Sequence, residues 1–367
     1  NFQDRNVMLW TALIAGYAEH GDSLNALASF EKMKLEGVSP DPLAFVYILK
    51  ACGALGNAGK ARQLHGEVCN MCFDRDMLVS SSLVDMYAKC GLLEEAQYVF
   101  DKLHERNIIS WNAIIGGYTE HGSSEAVFEC FNQMLTDGIP PDAITFIYIL
   151  KAYGNTGAMK KGQEMHMEIT KKGLERDVAL GTALVELYCK NGFLKTACRL
   201  FEKLEVRTVV TWNALIGGYT QLGECENVFK TFEKMKEEGE KPNLITFQNV
   251  LNVCSHAGLV DKAQLYVKSM SKEYGIKADI EHYTCIVDAL CRAGQVYSAI
   301  TMIKDIPFSP DLVVWHSILG GCSKWGEVEL GRHAFEYALL LDEKDVGTYV
   351  CMHNIYADNL MLKDAIN

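Results

Sequence analysis

No apolar run among the 367 residues approaches the roughly 20 needed to cross a bilayer, which excludes a bundle of membrane spans. Positive charge is also scarce. Lys and Arg number 35 against 47 Asp and Glu, a formal charge of −12. Non-specific affinity for nucleic acid comes mostly from cations on phosphates, so this chain is a poor general polyanion binder. Any nucleic acid it takes must be held by a local surface. Neither a glycine-rich phosphate loop nor a nucleophile–base–acid arrangement appears. No Arg-rich presequence or apolar signal segment follows Asn1, so a targeting segment is expected to lie outside this chain. With 49% hydrophobic and 22% charged residues, disorder and collagen are excluded as well.

Cysteine, by contrast, is abundant. The count of 13 is odd, and most fall inside helical apolar patterns, as Cys52, Cys130, Cys254 and Cys285 do. That placement reads as buried, reduced thiols in a reducing compartment, not as a disulfide framework or a metal site.

Length alone suggests two or three globular domains, but an internal repeat supersedes that expectation. Trp10, Trp111 and Trp212 are spaced by 101 residues, and the same step relates Tyr17, Tyr118 and Tyr219, then Phe30, Phe131 and Phe232. Gly37, Gly138 and Gly239 follow it, as do Pro40, Pro141 and Pro242. Each block holds three similar repeats. The boundaries are 7–41, 42–76, 77–107; 108–142, 143–177, 178–208; and 209–243, 244–279, 280–311. Residues 1–6 match the tail of a repeat, with Asp4-Arg5-Asn6 set against Glu105-Arg106-Asn107, and read as a truncated preceding repeat. Residues 312–367 read as divergent helical pairs, the last cut short.

Every repeat predicts two helices. Leu9, Trp10, Leu13, Ile14 and Tyr17 recur at helical period. Gly21 ends that stripe and Asp22 or Ser23 can cap the next helix, which carries Leu24, Leu27, Phe30 and Met33. Gly37 suits a C-terminal turn, and Pro40 forbids continuation. Neither helix can bury its stripe alone, so neighbours must stack. The expected fold is an all-α, right-handed superhelical solenoid of helix-turn-helix repeats.

These residues also carry a family resemblance. Repeats that end in Gly-x-x-Pro-Asp and begin with Trp-Asn-Ala resemble pentatricopeptide repeats, and the 35-, 35- and 31-residue alternation resembles the PLS subclass of plant organellar RNA-binding proteins. Leu49–Cys52 resembles its L motif, and Asp85–Gly91 its S motif. Val313-Val314-Trp315 followed by Gly320-Gly321-Cys322 resembles the E motif, with Asn354–Ala357 similar to its continuation. The tetratricopeptide repeat, a protein-binding scaffold, shares the places of Trp10, Leu13, Tyr17, Ala26 and Phe30. Its period of about 34 does not explain the alternation.

The resemblance implies sequence-specific binding of single-stranded RNA, one base per repeat, read by the fifth and last residues of each. The fifth residues are Thr11, Val46, Ser81, Asn112, Ile147, Thr182, Asn213, Gln248 and Thr284. They lie early in each first helix, off the apolar stripe, where small polar side chains can address unpaired base edges on the concave side. The last residues are Asp41, Asp76, Asn107, Asp142, Asp177, Thr208, Asn243, Asp279 and Asp311. Helix capping alone also accounts for Asp or Asn there. Second residues are Met8, Leu43, Leu78, Ile109, Ile144, Ala179, Val210, Ile245 and Glu281. In the family an apolar residue at this place sandwiches bases; simple packing between repeats is the other expectation. Glu281 departs from the pattern. The family's pairing code gives 5′-GNAUNNCNG-3′, with Thr182/Thr208 off the code and the L motifs unassigned.

Catalysis is not expected. His65-Gly66-Glu67 with Cys69 and Cys72 mimics a zinc deaminase, but that signature needs its cysteine pair well downstream after Pro. Here all four read as one continuous helix, and His166 takes the place of His65 in the next block. His104-Glu105, His256 and His282 show no convergent partners in the sequence. No metal, cofactor, membrane or small-molecule substrate is implied. The resemblance implies selection of cytidines for C-to-U editing in a mitochondrion or chloroplast, the former slightly favoured. Expected protein partners are accessory editing factors on L motifs and a deaminase recruited through the E-like tail. The alternatives are an RNA stability or splicing factor, or a peptide-binding scaffold.

Overall fold

The computed structural model describes residues 2–304 and 306–359. Asn1, in the short leading tail, and residues 360–367, at the end of the E-like region, lie outside the described residues. Among the described residues the chain is all-α, with one short 3-10 turn at Leu174–Arg176 and no strand. It forms two compact bodies, residues 1–187 and 188–367.

The first body stacks the helix pairs Phe2–Glu19 with Ser23–Leu35, Pro42–Leu55 with Ala58–Asn70, Met77–Lys89 with Leu93–Asp101, Ile108–Glu120 with Ser124–Thr136, and Ala143–Thr156 with Met159–Lys171. First helices pack on one another in succession, while each of the first four second helices packs on its own first helix and on the next. The second body repeats this order. After Leu194–Lys203 come Val209–Gln221 with Cys225–Glu237, Leu244–His256 with Val260–Tyr274, Ile280–Arg292 with Val296–Ile303, Leu312–Trp325 with Val328–Leu341, and the helix Val346–Asp358. This is the solenoid arrangement of stacked helical pairs.

Local chemistry sets the ends of these helices. Asp22 accepts the Asn25 N–H and starts the second helix of its pair, and Asp41 accepts from Ala44 with Pro42 at the first helical position. Helix Phe2–Glu19 runs through residues 2–6, so Asn6 sits inside a helix, whereas Asn107 at the matching place is an N-cap. Gly37 closes its helix with φ 75°. At the corresponding turn of the next pair stands Cys72, which at φ 58° is the sole non-glycine in the left-handed region among the described residues. The Phe73 N–H reaches the Val68 carbonyl at 3.0 Å and closes that turn. Helix Ala58–Asn70 therefore ends before Cys72, which corrects the expectation of one helix through His65, Glu67, Cys69 and Cys72.

Large side chains fill the seam between pairs. Trp111 and Trp212 are fully buried, each edge-on to a phenylalanine (Phe100 and Phe201) with ring centroids 4.7 Å apart. Arg106 and Arg207 lie over those phenylalanines at 4.7 and 5.0 Å. First helices approach closely at Gly117 and Gly321. A Cβ there would fall 2.5 Å from Ala88 Cβ and 2.7 Å from Cys291 Cβ, so only glycine fits. Among the described residues no helix is long and apolar enough to cross a membrane. Among the described residues no cysteine is in a disulfide; Cys52, Cys254 and Cys285 are buried and Cys130 is partly buried. Burial pushes the Cys254 and Cys285 thiols up to about 12, and Cys52 and Cys130 to about 11.

Candidate nucleic-acid interface

In the first repeat of each triplet the last residue has two partners. It caps the following first helix, and it accepts a hydrogen bond from the fifth residue, thirty positions earlier. Asp41 Oδ1 accepts from the Ala44 N–H at 2.8 Å and from the Thr11 hydroxyl at 3.1 Å. Asp142 accepts from the Thr145 N–H at 2.9 Å, and the Asn112 amide donates to its two oxygens at 3.1 and 3.2 Å. Asn243 Oδ1 accepts from the Thr246 N–H and the Asn213 amide, both at 3.0 Å. A third member completes the last two groups: the Thr145 hydroxyl donates to Asn112 Oδ1 at 2.7 Å, and Thr246 to Asn213 Oδ1 at 2.6 Å.

Burial alone would raise the Asp142 carboxyl. The N–H of Thr145, the Asn112 amide and the Thr145 hydroxyl outweigh it and hold the group below the usual aspartate range. These bonds hold the Asp142 carboxylate and the Asn243 amide oxygen in fixed orientations.

The other repeats are built differently. In the second repeats the last residues cap without reaching the fifth. Asp76 accepts from Leu78 and Val79, and Asp177 from Leu180. Asp279 accepts from the backbone and ring of His282, whose other ring nitrogen meets the Leu244 carbonyl at 3.1 Å. His282 is therefore a buried cap partner, although the sequence showed no partner for it. Val46 and Ile147 are half-buried, and the Gln248 amide donates to Asn252 at 3.3 Å. In the third repeats the Ser81 hydroxyl is buried and has no hydrogen-bond partner among the described residues. Thr182 and Thr284 donate back to the Val178 and Ile280 carbonyls at 2.8 Å. Asn107 and Asp311 cap their helices, while Thr208 makes no side-chain cap.

The fifth residues were expected on an open face, yet Thr11, Ser81, Thr182 and Asn213 are buried and Asn112 and Thr284 are half-buried. Thr11 and Asn213 turn toward the start of the next first helix, which covers them. Small polar residues suit an open site and a hydrogen-bonded junction equally well, so the sequence did not separate the two.

The second residues lie beside these pairs, and they are open. Met8 is 70% exposed, Leu43 47%, Leu78 54%, Ile109 54%, Ile144 50%, Val210 59% and Ile245 60%. Ala179 and Glu281 are exposed as well. Packing between repeats would have buried these aliphatics and does not account for them. These apolar side chains thus recur, exposed, at one structural place in seven of the nine repeats.

Sequence reasoning missed Thr145 and Thr246. The available signal was a cap residue followed three positions later by Thr, a reciprocal capping box that both helices form. The deaminase-like residues find other roles. His65 Nδ1 pairs with the Tyr87 hydroxyl at 2.8 Å, and Cys72 is exposed beyond the helix. His65, Cys69, His104 and Glu105 line one cavity, which the sequence did not bring together. Among the described residues no three His, Cys, Asp or Glu side chains are grouped to hold a metal ion.

Comparison with known proteins adds three findings. A PPR repeat family model matches residues 5–54, 106–155 and 207–256, and a PPR repeat model matches 79–108, 182–209, 245–274 and 281–307. Three Arabidopsis thaliana pentatricopeptide repeat-containing proteins are similar across nearly the whole chain. One is 34% identical, covering 96% of this chain and 49% of its own length. A second, named mitochondrial, is 35% identical over 97% of this chain and 56% of its own, and a third, named chloroplastic, is 34% identical over 97% and 42%. The chain thus spans about half the length of the curated relatives it matches. Among solved structures, the pentatricopeptide repeat protein PPR10 in complex with an 18-nt psaJ RNA element aligns with a TM-score of 0.70 at 17% identity, covering 99% of this chain and 62% of the other. That likeness is one of fold.

Proposed function

The chain belongs to the pentatricopeptide repeat family, and we propose that it binds single-stranded RNA sequence-specifically in a plant organelle, selecting cytidines for C-to-U editing. The observation that carries this reading is the hydrogen-bonded pair of fifth and last residues in the first repeats, flanked by exposed second-position aliphatics. Base edges would meet Thr11/Asp41, Asn112/Asp142 and Asn213/Asn243, whose acceptors are already oriented, so less side-chain freedom is lost on binding. The third repeats would read with Ser81/Asn107, Thr182/Thr208 and Thr284/Asp311. In the second repeats Val46/Asp76, Ile147/Asp177 and Gln248/Asp279 would lie along the RNA without an assigned base. Stacking-type contacts to Met8, Leu43, Leu78, Ile109, Ile144, Val210 and Ile245, worth about 1–3 kcal/mol per base where an aromatic ring makes them, would offset the lack of net positive charge.

In this reading residues 7–311 are nine PLS repeats and 312–367 an E-like tail. PPR10 binds its RNA element through the same fold, and relatives named mitochondrial and chloroplastic support an organellar setting. The chain itself supplies recognition and no catalytic step. A deaminase would come through the E-like tail, and accessory editing factors would sit on the second repeats.

The test is a titration with 5′-GNAUNNCNG-3′ and a scrambled control at fixed salt. At least tenfold preference, about 1.4 kcal/mol, is expected, with affinity falling only gently as salt rises because few phosphates are neutralised. Indifference to RNA would favour a peptide-binding scaffold. Binding without editing of a nearby 3′ cytidine would favour a stability or splicing role.

A further inference from the structure

The helical pair that follows the ninth repeat lies beyond the matched repeats, and it rebuilds the arrangement of the first repeats. Counting from Leu312, the fifth residue is His316 and the residue before the next helix is Asp345. His316 Nε2 lies 2.8 Å from Asp345 Oδ2 and 3.0 Å from Thr348 Oγ1. Asp345 caps helix Val346–Asp358 by accepting the Thr348 N–H at 2.7 Å, and the Thr348 hydroxyl donates to the same oxygen at 2.6 Å. Fifth residue, cap and buried threonine three positions on repeat the grouping of Asn213, Asn243 and Thr246. The second-place residue is Val313, 59% exposed, matching Val210.

We propose that residues 312–348 form a tenth base-binding station, which takes one further nucleotide at the 3′ end and prefers guanine. This rests on the RNA-binding reading above. All three bonds to the carboxylate fall on Asp345 Oδ2, leaving Oδ1 able to accept. The two lone pairs of Oδ1 can accept from two adjacent donors of one base edge, and guanine N1–H and N2–H₂ are the one such edge among the four bases. Gly347 keeps the station uncovered, since an added Cβ would sit 3.3 Å from both His316 Cε1 and Asp345 Oδ2. Val313 supplies the neighbouring apolar face.

The experiment titrates the protein with the nine-nucleotide RNA and with four ten-nucleotide RNAs differing only in the last base. The RNA ending in G should bind at least fivefold tighter than the other three. His316→Ala should abolish that preference. Val313→Ala, at an exposed position, should lower affinity for all four and leave their order intact. Leu340→Ala, exposed on the second helix of the same pair, should behave as the unaltered protein. Equal affinity for the nine- and ten-nucleotide RNAs, or a G preference that survives His316→Ala, would overturn the tenth station alone. Failure of the unaltered protein to bind any of the RNAs would overturn the RNA-binding reading and this proposal with it.

Discussion

The first and third repeats of a triplet carry the same kinds of residues at the fifth and last places, yet the first repeats join them, while among the described residues Ser81 and Asn107, and Thr284 and Asp311, stay apart. The two also differ in the length of their second helices. Ser124–Thr136 and Cys225–Glu237 have 13 residues, whereas Leu93–Asp101 and Val296–Ile303 have nine and eight. A shorter second helix returns the chain to the next first helix from a different place. The cap still forms at Asn107 and Asp311, but among the described residues no hydrogen bond joins Ser81 to Asn107 or Thr284 to Asp311. Thr284 then donates to its own helix backbone, the usual competitor for a hydroxyl on a helix, and Ser81 donates to nothing. The first repeats present a pair assembled in advance; the third repeats hold the same residue types apart.

The largest test of this contrast removes the shared acceptor. Asp142→Ala takes away both the cap and the Asn112 partner, whereas Asp76→Ala takes away a cap alone. Denaturant titration should give a loss of about 1–2 kcal/mol for Asp76→Ala and a larger one for Asp142→Ala, which also leaves the Asn112 amide without its acceptor. RNA binding should fall at least tenfold for Asp142→Ala only, and equal losses of affinity would break the contrast. Next, Asn213→Thr should weaken binding to the predicted RNA and move the preference at the seventh base from C toward a purine. An unchanged preference would show that the repeat register is misplaced.

A smaller effect is expected at Ser81. Because its hydroxyl is buried without a partner, Ser81→Ala should leave stability unchanged or raise it by up to about 1 kcal/mol. Its loss of affinity should be less than that of Asn112→Ala. The smallest effect is that of pH. The Asp142 carboxyl is held below its usual range in the folded chain. Its stabilisation is therefore complete above the ordinary aspartate pKa and disappears as pH falls through the lowered one. Binding that depends on the fourth base should weaken in acid before binding that depends on Asn213/Asn243, which cannot titrate. Asp142→Asn should remove that difference.

Much of the fold was legible because punctuation in this chain is chemical. Asp22, Asp41 and Gly37 end or start helices through their own side chains or backbone freedom, and residue type reveals them. Cys72 was not legible. It occupies the left-handed turn that Gly37 occupies one pair earlier, and nothing about cysteine announces a positive φ. At the interface, the places of the fifth, last and second residues could be counted, but their surroundings could not. Whether Leu43 or Ile109 is packed or open depends on the neighbouring pair, and a periodic pattern cannot specify that. The threonines at 145 and 246 were overlooked because each lies three residues into the following repeat.

That last point bears on how such proteins can be recombined. Asn112 belongs to one repeat, Asp142 ends it, and Thr145 comes from its successor. A graft cut at the conventional boundary would transplant two parts of a three-part device and inherit the third from whatever sequence follows. If these groups read RNA as proposed, recognition is a property of junctions. A designer who wants to move specificity intact must carry the overhang of three residues along with it.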